Sequence, residues 1–132
     1  MRFLLDTNTL IYFFRGQGHV ADKLLATQPG DIAVSTITLF ELETGLRKSP
    51  QASTRRKQLA AFVDAAQVWD LDRGAAGAAA EIRAVLEQKG TPIGVLDTLI
   101  AGIALAKRAA VVTHNTRELS RVPRLEIVDW YA

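Results

Sequence analysis

Short apolar runs alternate with longer stretches of helical periodicity along this chain, and that alternation leaves few folds open. Runs at 3–5, 31–35, 68–71, 110–113 and 125–128 have the length and composition of strands, punctuated by turn residues such as Pro29-Gly30 and Pro123. Between them, 9–14, 19–26, 36–46, 53–66, 74–90 and 95–107 read as helices, with Val20, Leu24 and Leu25 sharing one face of the second. Successive strands are a helix's worth of chain apart, which favours parallel neighbours joined by crossovers over tight hairpins. The expectation is a three-layer α/β/α fold with a short, mostly parallel central sheet. At 132 residues the chain is expected to form a single domain spanning 1–132.

Composition narrows the chemistry. With 48% hydrophobic and 23% charged residues the chain suits a folded globule rather than disorder. It has no cysteine, which excludes thiolate metal sites, thiol nucleophiles and disulfides. No apolar stretch is of membrane-spanning length, and 2–11 lacks a signal-peptide pattern, so a cytoplasmic protein with no membrane partner is expected. A net charge of +2 permits a polyanionic partner where basic side chains cluster. Arg55, Arg56 and Lys57 form such a cluster, readable as a solvated face or as a contact for phosphates or a partner subunit. The alanines within 75–80 let another helix approach closely, either across a dimer or inside the subunit.

The candidate chemistry starts at the first strand. Its apolar run stops at Asp6, passes through Thr7-Asn8-Thr9 and resumes at Leu10-Ile11, so Asp6 stands at the strand's carboxyl end. Ligands bind at that edge of open α/β sheets, although Asp6 or Thr7 is also a natural helix cap. Helix 36–46 holds Glu41 and Glu43, and periodicity alone does not decide between them. An inward carboxylate needs a cation, and Glu43 is expected in solvent. Asp97 falls in the first turn of a nearly all-apolar helix, where capping would explain it, yet such a helix opens onto the centre of the fold. Asn115 follows the fourth strand as Asp6 follows the first. If those strands are neighbours, Asp6 and Asn115 share one rim with Glu41 and Asp97 above it. An all-oxygen donor set suits Mg²⁺ or Mn²⁺ better than zinc and supports metal-assisted hydrolysis of a phosphodiester. His19 has no ligand partner at metal spacing and is expected at a helix start or the surface, and His114 is expected at the surface, with contact to substrate as its other reading.

Four ordered blocks carry a resemblance. They are Phe3-Leu4-Leu5-Asp6-Thr7-Asn8; Ser35-Thr36-Ile37-Thr38-Leu39-Phe40-Glu41-Leu42; Pro92-Ile93-Gly94-Val95-Leu96-Asp97-Thr98-Leu99-Ile100-Ala101; and Val112-Thr113-His114-Asn115-Thr116-Arg117-Glu118-Leu119. Together they resemble the signature stretches of PIN-domain proteins, and most closely the VapC toxins of bacterial toxin–antitoxin pairs, from residue 2 to about 130. The resemblance implies a Mg²⁺- or Mn²⁺-dependent endoribonuclease, often acting on tRNA or ribosomal RNA. It also implies a homodimer inhibited by a VapB-like antitoxin. It assigns Asp6, Glu41 and Asp97 to the metal, Asn8 to orienting them, and no role to Glu43. Many members carry a fourth aspartate where this chain has Asn115, which binds a cation without adding charge; Glu118 is the candidate to supply part of what is missing. A haloacid-dehalogenase-like site is disfavoured by Asn8, where a second acid is needed, and a receiver domain by His114, where a lysine is needed. A catalytically inactive PIN-like module that binds RNA or protein is the alternative, against which the three retained acids argue.

Overall fold

The computed structural model describes residues 1–132. At its centre lies Phe3–Leu5 (β1), which pairs in parallel with Ile32–Ser35 (β2) on one side and Ala110–Val112 (β4) on the other. Leu5 stands opposite Val34 and Val112. Gln67–Trp69 (β3) extends the sheet beyond β2, and Ile127–Val128 (β5) beyond β4, both again parallel. The five strands run in the order β3-β2-β1-β4-β5. The inner strands are apolar on consecutive residues because successive side chains enter opposite, equally covered faces. Leu4 and Leu5, both fully buried, thus serve two different cores.

Leu5 packs with Leu10, Val20, Leu24, Leu42, Leu46, Leu59 and Phe62. These come from Thr7–Arg15 (α1), Val20–Leu25 (α2), Thr36–Lys48 (α3) and Ser53–Ala65 (α4). Leu4 meets Trp69, Ala75, Ile100 and Ile103 on the other face, which Arg73–Gln88 (α5) and Val95–Lys107 (α6) cover. Thr116–Leu119 (α7) leads to β5, and its Leu119 packs with Ile82 and Leu86 of α5. The three-layer expectation holds, with every strand parallel.

One local reading changes, and two left open are narrowed. Leu25 is 77% exposed, because the six-residue α2 packs through Val20 and Leu24, with Leu25 a further 100° around. The small residues of α5 serve packing inside the subunit: a Cβ on Gly102 of α6 would lie 2.7 Å from the Ala79 Cβ and 2.8 Å from the Ala75 carbonyl oxygen. Arg55 turns from solvent to lie over the Phe14 ring, 5.1 Å from its centroid, whereas Arg56 and Lys57 stay exposed. No helix is long and apolar enough to cross a membrane.

The strand order places a switch point at the centre. From β1 the chain works outward to β2 and β3, then crosses back to β4 on the other side of β1. Connections leaving β1 and β4 therefore diverge, and the crevice between them opens at the strands' carboxyl ends.

Candidate active site

Asp6 and the segment 113–115 flank that crevice. Asp6 caps α1: its Oδ1 accepts from the Thr9 N–H at 2.9 Å, while its own N–H donates to the Val112 carbonyl at 3.1 Å. Thr9 Oγ1 donates to the same carbonyl at 3.0 Å, so the cap also ties α1 to β4. The capping and rim readings of Asp6 are thus both true. Burial pushes its carboxyl above the ordinary range; hydrogen bonds from Thr113 and Thr9 work against this, and the charge of Asp129 adds to it.

Glu41 projects from α3, whose N-cap is Ser35 at the end of β2. Thr7 Oγ1 donates to Glu41 Oε1 at 2.6 Å and lies 3.1 Å from the Thr38 hydroxyl. The residue after Asp6 therefore holds the second acid. Glu43 points elsewhere, 4.0 Å from Arg47 along the same helix, as expected for a solvated acid.

Asp97 stands in the first turn of α6, just past Gly94. Its carboxyl is pushed up to about 6, first by burial and then by the charges of Asp6, Glu41 and Glu118; a hydrogen bond from Asn115 pulls the other way. Asn115 Nδ2 also donates to Glu118 Oε2 at 2.9 Å. The amide thus stands between two carboxylates as a shared donor, where a fourth acid would have added repulsion.

Asp6, Thr7, Asn8, Glu41, Gly94, Val95, Leu96 and Asp97 line one open cleft of about 330 Å³. Asn8 is exposed within it, and Asn115 and Glu118 adjoin it through Asp97. Larger hollows exist, but one is walled by Phe13, Phe14, Leu24 and Phe62. Size does not locate this site; its chemistry does.

No three acidic or histidine side chains stand at coordinating spacing. The carboxylates share a cleft without closing into a cage, as mutual repulsion requires of like charges. Their donor chemistry fits a hard divalent ion that takes one or two carboxylates and keeps several waters. Were such an ion bound, Asp6, Glu41 and Asp97 would be the residues to hold it. Sequence reasoning missed the hydroxyls that brace these acids, Thr7 for Glu41 and Thr113 for Asp6. The signal available was a threonine beside each strand-end polar residue.

A family model for the PIN domain matches residues 3–125. The chain belongs to the PIN-domain family. Within it the chain is of the VapC type, the toxin of VapBC toxin–antitoxin systems. It is 36% identical over 130 residues to the tRNA(fMet)-specific endonuclease VapC of Salmonella typhimurium, with 98% of each chain covered. It is 33% identical over 132 residues to Ribonuclease VapC2 of Rickettsia felis, again with 98% of each covered. The crystal structure of DNA-bound VapBC from Salmonella typhimurium matches with a TM-score of 0.91 and 37% identity, covering 98% of both chains. The crystal structure of VapBC2 from Rickettsia felis bound to a DNA fragment from its promoter matches with a TM-score of 0.91 and 32% identity, covering 98% of this chain and 99% of the other.

Proposed function

We propose that this PIN domain is a Mg²⁺- or Mn²⁺-dependent endoribonuclease that hydrolyses RNA phosphodiester bonds as the toxin of a type II toxin–antitoxin pair. The observation that carries the reading is the gathering of Asp6, Glu41 and Asp97 on one cleft at the β1–β4 switch point. A bound divalent ion supplies an acidified water and neutralises charge building on the phosphate. The chain's own groups prepare the place. Asp6 is anchored by the Thr9 N–H and by Thr113, and Glu41 by the Thr7 hydroxyl. Asn115 holds Asp97 and Glu118 through one amide, and Asn8 lies at the mouth where a substrate group arrives. Below about pH 6 Asp97 holds a proton on its carboxyl, and losing it readies the cleft for a cation.

The substrate class we favour is tRNA, on the strength of the relative named as a tRNA(fMet)-specific endonuclease. The solved VapBC complexes support control by a VapB-like antitoxin. We place the single domain 1–132 in the cytoplasm as a homodimer.

Antitoxin-free protein incubated with separate tRNA and rRNA pools tests the reading. Discrete fragments are expected with Mg²⁺ or Mn²⁺, none with EDTA, and none from the folded Asp97→Asn variant. Cleavage that persists with EDTA or in Asp97→Asn would place the activity elsewhere. Metal binding without cleavage in any pool would point to a binding module.

A further inference from the structure

A second cluster stands on the same strand-end rim, outside the acidic cleft. His114, one residue past Thr113, stacks on Tyr131 with ring centroids 4.3 Å apart and planes at 26°. Tyr12 of α1 meets both rings edge-on, at 6.1 Å from His114 and 4.7 Å from Tyr131. His114 Nδ1 lies 2.9 Å from Asp129 Oδ2. Burial acts to raise the Asp129 carboxyl, but bonds from His114 and from the Tyr131 and Ala132 N–H groups outweigh it and hold the acid low. An ionised carboxylate has no proton to offer, so Nδ1 is the donor and Nε2 is the ring's remaining polar atom. The His114 side chain is 43% exposed.

The ring is tied to the cleft from both sides. Thr113 before it bonds to Asp6, and Asn115 after it bonds to Asp97. Asp129 is near enough for its charge to act on Asp6. Glu41 follows β2, whereas His114 follows β4 and Asp129 follows β5, on the opposite side of β1. With strands about 4.8 Å apart, the aromatic cluster lies one to two strand spacings along the rim from Asp6, the reach of a neighbouring nucleotide.

Packing explains Tyr131, whose ring approaches so closely that a Cβ on Gly18 would lie 2.7 Å from it. Packing does not explain a solvent-facing imidazole held in one orientation by both a stack and an acid. An RNA strand on this rim meets Asp6, Glu41, Asp97, Glu118 and Asp129, none of which attracts a phosphate directly. A base carries no such charge, and its face stacks on any aromatic ring.

We propose that His114, stacked on Tyr131 and oriented by Asp129, contacts the base of a nucleotide beside the scissile phosphate and so helps select the cleavage site. It is a specificity-determining residue, and the proposal rests on the ribonuclease reading above. Its imidazole offers a π-face for stacking and Nε2 for a hydrogen bond to a base edge.

Two measurements on the whole protein test it. In Mg²⁺-dependent cleavage of tRNA, His114→Ala should raise KM about tenfold, leave kcat within about twofold and redistribute the cut sites. His114→Phe should recover most of the KM but not the site pattern, and Asp129→Asn should fall between. His114→Gln, which keeps a donor for Asp129 without the ring, replaces the alanine variant if that one misfolds. A purely structural His114 would lower Tm or kcat and leave KM and site choice alone. Unchanged KM and site pattern in an active variant overturns the proposal while leaving the ribonuclease reading intact. Should the wild type cut nothing, anisotropy with a labelled single-stranded 12-nucleotide RNA still decides. About tenfold weaker binding by His114→Ala keeps the base contact; equal or absent binding removes it.

Discussion

Asp97 sets how the metal-free protein responds to pH. Its folded-state pKa of about 6 lies above the 3.8 of a free aspartate, so between those values the folded chain binds more protons than the unfolded chain. Stability from this group is therefore fully present below about pH 4 and is lost as pH rises through 6. Asp6, also raised, acts in the same direction. With EDTA present, Tm should fall between pH 4 and 7, and Asp97→Asn should flatten that slope and raise Tm at pH 7. Mg²⁺ should raise the wild-type Tm at pH 7 and much less at pH 5. An Asp97→Asn protein less stable than wild type at pH 7 would contradict the shared-charge account. At this scale the sequence showed Asp6 and Asp97, each at an element's end where the apolar pattern breaks, whereas Glu41 lies inside α3 and only the resemblance separated it from Glu43. It did not show what braces them. The Thr7–Glu41 bond joins residues 34 apart and the His114–Asp129 bond joins residues 15 apart, and only folding brings either pair together.

Helix placement was largely legible, since caps and periodicity agree. α6 begins after Gly94 and ends at Lys107, where Arg108 takes a left-handed conformation. α5 begins after Asp72, whose Oδ1 accepts from the Ala75 N–H at 2.9 Å. Which neighbour the small residues of α5 would meet was not legible, because periodicity identifies a face and not its partner. The contact at Gly102 makes that partner testable. Gly102→Ala should destabilise by about 1–3 kcal/mol in urea unfolding, since helix backbone as well as the Ala79 Cβ must give way. Gly77→Ala in α5, with nothing within 4 Å of the added Cβ, should stabilise by about 0.5–1 kcal/mol. Equal effects from the two glycines would remove close α5–α6 packing as the cause.

For the molecule as a whole, the alternation of runs and helices conveyed the layers and allowed the first and fourth strands to be neighbours, which only the strand order settled. The cleft itself depends on how far α3 and α6 lean over the rim, a tertiary quantity with no local signature. The two tryptophans report separately on the two layers. Trp130 packs with Leu5 and Phe62 on the α1–α4 side, and Trp69 with Leu4 and Ile100 on the α5–α6 side. A single domain predicts that Trp69→Phe and Trp130→Phe variants, each followed through its remaining tryptophan, share one urea slope of about 1–3 kcal/mol per molar. Each midpoint should also coincide with that from far-UV circular dichroism of the same variant. Midpoints that differ between probes within either variant would divide the chain into separately folding parts. The site straddles both layers, with Glu41 on one and Asp97 on the other, so a division would disassemble it first.

The double duty of Asp6 bears on how such a protein can decay. Its carboxylate caps α1 whether or not RNA is ever cut, and its own N–H holds the start of that helix to β4, whereas Asp97 makes no capping bond to its own helix and only burdens the fold with charge. A descendant released from selection for cleavage gains stability by discarding Asp97, and at position 6 it keeps stability by retaining any side chain that still caps α1. Relics of this architecture should therefore keep a capping residue at the first position long after the third acid has gone.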